Sequence, residues 1–318
     1  MTAHAGASGP LLSGLGIIGL GQMAQALLLP LLEQGDVLLA AVQAVVATPA
    51  SAERLQQQLQ LPVCAAADGQ AAAAWQAPVV LLAVKPQQLA AAAEAAASVA
   101  AAAEAAAVAA AAAATSSGCA VSESSAASPG HSSASPGHGD ELPLLISVLA
   151  GVSLARLQAA FPGWRVVRAV PNTPCLVRAG ITGLAWGEQL SDGQRHCVRE
   201  LFGRVGQVLE LPEPQLDGLL ALASSGPALM AVVIEALADG GVAAGLPRAL
   251  AQQLALAMTG GTVALLEQKG LHPGQLKDMV SSPAGTTITA LRQLERGAVR
   301  SALIEAVLAA AERSRALG

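Results

Sequence analysis

A chain of 318 residues is long enough to bury two ordinary cores, so two domains are expected. Its formal net charge is −5, it carries no run of Lys or Arg, and its only aromatic residues are Trp75, Phe161, Trp164, Trp186 and Phe202. Nucleic acid is thereby excluded as a partner, because it calls for basic surface and, for single strands, aromatic platforms.

Residues 1–14, "MTAHAGASGPLLSG", lack Arg, an apolar secretory core and amphipathic periodicity. They read as a short disordered lead and not as a targeting segment. The informative N-terminal stretch follows, "LGIIGLGQMAQALLLPLL". Leu15, Ile17 and Ile18 suit a buried parallel strand, and the turn Gly19-Leu20-Gly21-Gln22-Met23-Ala24 runs directly into a helical pattern. This is a GxGxxA turn in the strand-before, helix-after context that a dinucleotide site needs. Gly19 permits the tight turn, Gly21 leaves room for a pyrophosphate, and small Ala24 lets the helix pack on the strand. The N–H groups of Gln22 and Met23 then face the phosphates.

A second strand, "VLLAAVQAVVAT", ends without the Asp or Glu that would bind the ribose hydroxyls of NADH. It ends instead at Thr48 and Ser51, with Arg54 a turn further on. Hydroxyls and a guanidinium suit a 2′-phosphate, so NADPH is expected to be preferred over NADH. "APVVLLAVKPQQL" is a third apolar strand, and Val84, Lys85 and Pro86 belong at its carboxyl end, where open α/β sheets hold ligands.

The chain then turns alanine-rich and runs into "TSSGCAVSESSAASPGHSSASPGHGDE". Alanine is the best helix former, so part of the tract is expected to be helical, but it is barely hydrophobic, and Glu94 and Glu104 interrupt it, so it is not read as a membrane span. The Ser/Gly/Pro-rich part cannot bury enough apolar area to order itself. Residues of about 90–140 are expected to be a dispensable low-complexity insertion, and no membrane partner is expected. "PLLISVLAG" resumes the strand pattern, with Ala150 and Gly151 at its end. "WRVVRAVPNTP" gives another strand, ending where two prolines bracket Asn172 and fix its amide as a clamp for a nicotinamide carboxamide.

The cysteines Cys64, Cys119, Cys175 and Cys197 are widely spaced and form no CxxC. Reduced thiols are expected, with neither a metal site nor a disulfide framework. From about 213 the pattern is helix alone, rich in Ala, Gly and Ser. Both faces are more apolar than one protomer's core needs, which points to a helical interface and at least a homodimer. The loop "SSPAGTTI", residues 281–288, precedes the helix "ITALRQLE". Its unpaired N–H groups would lie at the positive end of a helix dipole, and with Ser282, Gly285 and Thr286 they make an anion site that needs no lysine.

Taken in order, "GIIGLGQMAQALL", "LLAVKPQ", "ISVLAGVS", "VVRAVPNTP", "SSGPA", "ALADGGVAAGLPR" and "HPGQLKDMVSSPAGTTITALRQLE" resemble the pyrroline-5-carboxylate reductase family. The resemblance covers the chain apart from the lead and the 90–140 tract. It implies a Rossmann-like α/β domain with a mostly parallel sheet over 15–212, followed by an all-helical substrate-binding and dimerisation domain over 213–318. It further implies NADPH as cofactor, with NADH as second choice, and 1-pyrroline-5-carboxylate as substrate, reduced to L-proline. The implied assembly is a homodimer through the helical domain, with further association into rings of five, a decamer. The cofactor residues expected are Gly19, Gly21, Gln22, Met23, Ala24, Thr48, Ser51, Arg54, Val84, Lys85, Pro86, Ala150, Gly151 and Asn172. The resemblance places the substrate against Ser281, Ser282, Ala284, Gly285, Thr286 and Thr287, with the Thr287 hydroxyl, as both donor and acceptor, at the imine nitrogen.

Three positions depart from the family pattern: Gln22 replaces an Asn, Leu229 a Tyr, and Ala284 the first of two loop glycines. Two other readings stay open on sequence. One is a reductase of the same architecture acting on β-hydroxyacids or other imines, although no Lys lies between Lys85 and Lys269 to act as its acid/base. The other is a non-catalytic nucleotide-binding assembly protein. The expected compartment is the cytoplasm, with a plastid location also open.

Overall fold

The computed structural model describes residues 10–116 and 142–317. The chain divides into two units, one ending at Leu216 and one spanning Asp217–Leu317.

The first unit is built on an eight-stranded sheet. Its strands are β1 (Leu15–Ile18), β2 (Val42–Val46), β3 (Val63–Ala65), β4 (Val79–Leu82), β5 (Leu144–Ser147), β6 (Arg165–Val170), β7 (Gly180–Trp186) and β8 (Gly206–Glu210). The order is β3-β2-β1-β4-β5-β6-β7-β8, and every neighbouring pair is parallel except β6 and β7. Continuous apolar runs make this possible: β1, β4 and β5 are buried along their whole length, as strands covered on both faces must be. β1 lies between β2 and β4, with Leu15 opposite Val42 on one side and Val79 on the other. The chain order reverses there, which opens the crevice at the carboxyl ends of these strands. Helices α1 (Gln22–Gln34), α2 (Pro49–Leu59), α3 (Ala72–Trp75), α4 (Leu89–Ser116), α5 (Leu154–Ala160) and α6 (Asp192–Gly203) complete the unit.

Two expectations about order need correction. The lead is ordered from before residue 14: Leu12 is buried, bridges to Val37, and the Leu11 amide donates to Asp36 O at 2.8 Å. Apolar Leu11 and Leu12 extend the pairing of β1 far enough to hold the backbone. The insertion expected over 90–140 likewise starts too early, because its first part is α4. Ala92 is 7% and Ala96 4% exposed, and the helix packs on α3 and α5. A crossover between parallel β4 and β5 needs a dozen or more residues, and alanines serve as a small-residue helix for it. The Ser/Gly/Pro-rich part lies outside the described residues, as do residues 1–9.

The second unit is helical. A short helix α7 (Leu216–Leu219) leads into a π-turn over Leu220–Ser224, closed by the Ser225 amide donating to Leu220 O at 3.0 Å. Then come α8 (Gly226–Ala243), α9 (Arg248–Lys269), α10 (Pro273–Met279), α11 (Thr286–Arg296) and α12 (Val299–Leu317). α8 and α9 form a hairpin in which Ala238, Ala251 and Ala255 are buried, and a Cβ on Gly241 would stand 3.2 Å from that of Ala251. Small residues thus let the two backbones approach closely.

The core of this unit is unusual. Its buried apolar residues are Ala221, Ala238, Ala251, Ala255, Leu276 and Ala311, while Val232 is 65% and Leu256 61% exposed. Leu222, Met258, Met279, Leu294 and Leu308 also face outward. By length and composition alone, Pro86–Val108, Glu213–Ala243 and Arg248–Lys269 are each long and apolar enough to cross a bilayer.

Candidate active site

At the reversal point the first unit carries a cleft of about 720 Å³. Its floor is the β1–α1 turn. Gly19 has φ +92°, and a Cβ there would lie 2.8 Å from Ala83 O, so only glycine fits between the ends of β1 and β4. Gly21 caps α1 with extended backbone and no side-chain bond, and its missing Cβ would point into open space. The first N–H groups of a 13-residue helix therefore face an open cradle, which fits a pyrophosphate.

One wall is the β2–α2 turn. Thr48 caps α2: its oxygen accepts from Ser51 N at 3.3 Å, and its hydroxyl donates to Ser51 Oγ at 3.0 Å. The Ser51 hydroxyl proton stays available, and Ser51 and Arg54 both line the cleft. Lys85 lines it from the end of β4. Neither Arg54 nor Lys85 makes an ion pair among the described residues, so two cations are offered to whatever enters. The donor set suits a nucleotide with an extra phosphate on its adenosine side.

Of the expected cofactor residues, Gly19, Gly21, Ser51, Arg54, Val84 and Lys85 line this cleft. Ala24 is buried beneath it as a packing residue, and Gln22 and Met23 contribute the helix start. Thr48 acts through its cap, and Pro86 opens the turn after Lys85. Ala150 and Gly151 follow β5 and do not line the cleft.

Asn172 does not line the cleft either. It is 5% exposed, and its Oδ1 accepts from Ile181 N at 2.8 Å. The Ile181 amide in β7 needs an acceptor, and Asn172, set between two prolines, supplies it. Sequence reasoning missed one face of α4, where Ala91, Ala95, Ser98 and Val99 line the cleft at helical spacing, and also Asp68 and Gln88. The spacing of Ala91, Ala95 and Val99 was visible in the sequence, but alanine on all sides hid it.

In the second unit, the loop between α10 and α11 is arranged around Gly285, the N-cap of α11. Thr286 and Thr287 are the first two residues of that helix. Ala284 sits at φ +56° and the Gly285 amide donates to Ser282 O at 3.1 Å, which turns the loop tightly onto the helix. Ser282 Oγ lies only 2.3 Å from where a Cβ on Gly285 would stand, so this hydroxyl sits at the helix start. The Ser281 hydroxyl is spent on Lys277 O at 2.7 Å, and that of Thr289 on Gly285 O at 3.0 Å. The hydroxyls of Ser282, Thr286 and Thr287 have no partner among the described residues. Thr287 is half-buried and lines a groove of about 500 Å³ with Met258, Thr262, Lys277 and Leu291.

His272 and Asp239 have partners within the helical unit. His272 caps α10, with Nδ1 accepting from Gly274 N at 3.1 Å and its own amide donating to Gln275 Oε1 at 2.9 Å. Asp239 pairs with Arg248. Burial, followed by the charge of Asp68, pushes the Cys64 thiol up, and burial does the same for Cys175, so neither is poised as a thiolate nucleophile.

Residues 213–317 match the family model described as pyrroline-5-carboxylate reductase dimerisation, and residues 14–115 match one described as NADP oxidoreductase, coenzyme F420-dependent. A pyrroline-5-carboxylate reductase from Synechocystis is 41% identical over 304 residues, which is 96% of this chain and 98% of that one. The chain belongs to the pyrroline-5-carboxylate reductase family. A solved pyrroline-5-carboxylate reductase from Coxiella burnetii is 27% identical, with a TM-score of 0.69 over 96% of this chain and 99% of that one. One from Plasmodium falciparum shares the fold, with a TM-score of 0.76 at 24% identity, covering 98% and 100%. As a family member the chain has a homo-oligomer-forming helical unit. A domain whose buried residues are mostly alanine and whose large apolar side chains face outward suits such a unit.

Proposed function

We propose that this chain reduces the cyclic imine 1-pyrroline-5-carboxylate to L-proline with NADPH, and more slowly with NADH. Bound NADPH supplies the hydride. The chain's residues hold and align. The Gly19–Gly21 turn and the start of α1 take the pyrophosphate, Ser51 and Arg54 the 2′-phosphate, and Lys85 adds positive charge at the end of β4.

The observation that carries the reading is the assignment of the cap of α11 to Gly285. Glycine leaves the helix-start N–H groups without a side-chain partner, and Thr287, two positions beyond the cap, keeps its hydroxyl for a ligand. A small carboxylate fits the N–H groups and the hydroxyls of Ser282 and Thr286. The Thr287 hydroxyl stands at the imine nitrogen. A protonated imine is already an electrophile, so alignment of donor and acceptor is the main demand, and it contributes roughly 7–11 kcal/mol.

The assembly we propose is a dimer through the helical unit, five dimers to a ring, with the apolar faces of α8 and α9 covered by protein and not by lipid. The widely spaced cysteines suit a reducing setting, the cytoplasm or a plastid.

Thr287→Ala tests the site. The expected outcome is a several-fold rise in KM for pyrroline-5-carboxylate or a similar fall in kcat, with KM for NADPH and the melting temperature unchanged. Unchanged kinetics with a lowered melting temperature would return Thr287 to a capping role, which costs about 1 kcal/mol when lost.

A further inference from the structure

The cofactor cleft contains one carboxylate among its lining residues, Asp68. Its position is set by the fold. Ala66 continues the pairing of β3 with β2, its amide donating to Val46 O at 2.8 Å, and Asp68 follows two residues later. A tight turn locks it: the Asp68 amide donates to Ala65 O at 3.0 Å, and Asp68 Oδ2 accepts from Ala65 N at 2.7 Å. One oxygen is thus committed to the backbone. The other, Oδ1, has no hydrogen bond among the described residues, and no cation pairs with Asp68 there.

Asp68 is exposed, and a carboxylate in a cleft suited to a polyanion repels phosphates, so the part of the ligand it can meet is one that is neutral and donates. The sheet order narrows the choice. Asp68 follows β3, two strands from β1 and on the side away from β4. That is the adenosine side, because the pyrophosphate turn is at β1 and the nicotinamide half extends toward β4 and β5. With Ser51 and Arg54 in the first turns of α2, after β2, engaged by the 2′-phosphate, the donors left on that side are the 3′-hydroxyl and the 6-amino group of the base.

We infer that Asp68 Oδ1 accepts a hydrogen bond from the 6-amino group of adenine and so makes this reductase selective for adenine over 6-oxopurine cofactors. The surrounding surface suits a flat ring: Gly69, Ala71, Ala72, Ala91 and Ala95 line the same cleft without bulky groups. A 6-oxopurine would turn an oxygen toward the carboxylate, where two acceptors meet without a proton between them. The inference rests on the reading of the cleft as an NADPH site.

The probe is reduced nicotinamide hypoxanthine dinucleotide phosphate, which differs from NADPH in carrying a 6-oxo group for the amine. The full-length wild type should show kcat/KM at least about tenfold higher with NADPH, the loss expected when a hydrogen bond to a charged group is replaced by an unpaired acceptor. Asp68→Asn keeps an oxygen for the Ala65 amide and presents an N–H₂ to the base. It should lower kcat/KM with NADPH, raise it with the hypoxanthine cofactor, and leave KM for pyrroline-5-carboxylate unchanged. A purely structural Asp68 would move both cofactors alike. Equal kcat/KM for the two cofactors in the wild type overturns the inference whether or not the variant folds, and so does an unaltered cofactor ratio in Asp68→Asn. A failure of the NADPH reading itself is distinct, since the wild type would then not turn over with NADPH at all.

Discussion

Ala284 is where the loop departs from its family, and its backbone records the consequence. At φ +56° it occupies the left-handed region, where a Cβ costs about 1–2 kcal/mol and glycine costs nothing. Ala284→Gly is therefore expected to stabilise the chain by about 1 kcal/mol, less the extra entropy glycine has when unfolded. Thermal or urea unfolding checks it; a lower midpoint for the glycine variant would show that Ala284 makes a compensating contact. At this scale the sequence was a partial guide. The clash that makes Gly19 obligatory was readable from the motif, because glycine there serves the backbone. The fate of individual polar groups was not. Asn172 between two prolines looks like a displayed amide until the β7 backbone claims its oxygen, and a run of hydroxyls does not say that Ser281 is spent on Lys277 while Thr287 is not. Each of those outcomes depends on a partner distant in sequence or on the direction of one rotamer.

α4 shows how composition misleads at the scale of elements. Its alanines look like low complexity, and the chain does become Ser/Gly/Pro-rich beyond it, but a parallel crossover only needs a helix of sufficient length with a face small enough to pack. Leu89, Ala92 and Ala96 form that buried face, and Ala91, Ala95 and Val99 turn another face to the cleft. The sequence separates the two parts only through helix propensity, since alanine gives no apolar stripe to follow. Replacing 117–140 with a short Gly/Ser linker should thus leave melting temperature and kcat/KM nearly unchanged, because a doubling of loop length alters stability by only about 0.6 kcal/mol. Extending the deletion back to residue 90 should abolish soluble protein, since β4 and β5 lose their connection and the cleft loses a wall. Comparable expression of both deletions would show that α4 is an ornament. The strands themselves were legible because buried parallel strands are continuous apolar runs. The second strand, read over residues 37–48, contains a turn of 3-10 helix before β2, where Leu38 and Leu39 face solvent.

Across the whole molecule the two units are stabilised differently. The first has the large buried side chains of an ordinary α/β core, among them Ile17, Leu28, Leu145, Phe161 and Phe202. The second buries alanine and exposes leucine, which is how a domain looks when its core is completed by another copy. The excess of apolar positions on its helices was visible in the sequence for the same reason. The first unit carries the nucleotide cleft, and the chain's family is that of the pyrroline-5-carboxylate reductases. The most direct measurement is steady-state NADPH oxidation by the purified full-length chain with 1-pyrroline-5-carboxylate, with the product identified by amino-acid analysis and controls containing no substrate or a β-hydroxyacid series. The expected result is NADPH consumption matched one-to-one by L-proline, faster than with NADH and absent from the controls. Nucleotide binding without proline formation, or turnover only in the hydroxyacid series, would contradict it.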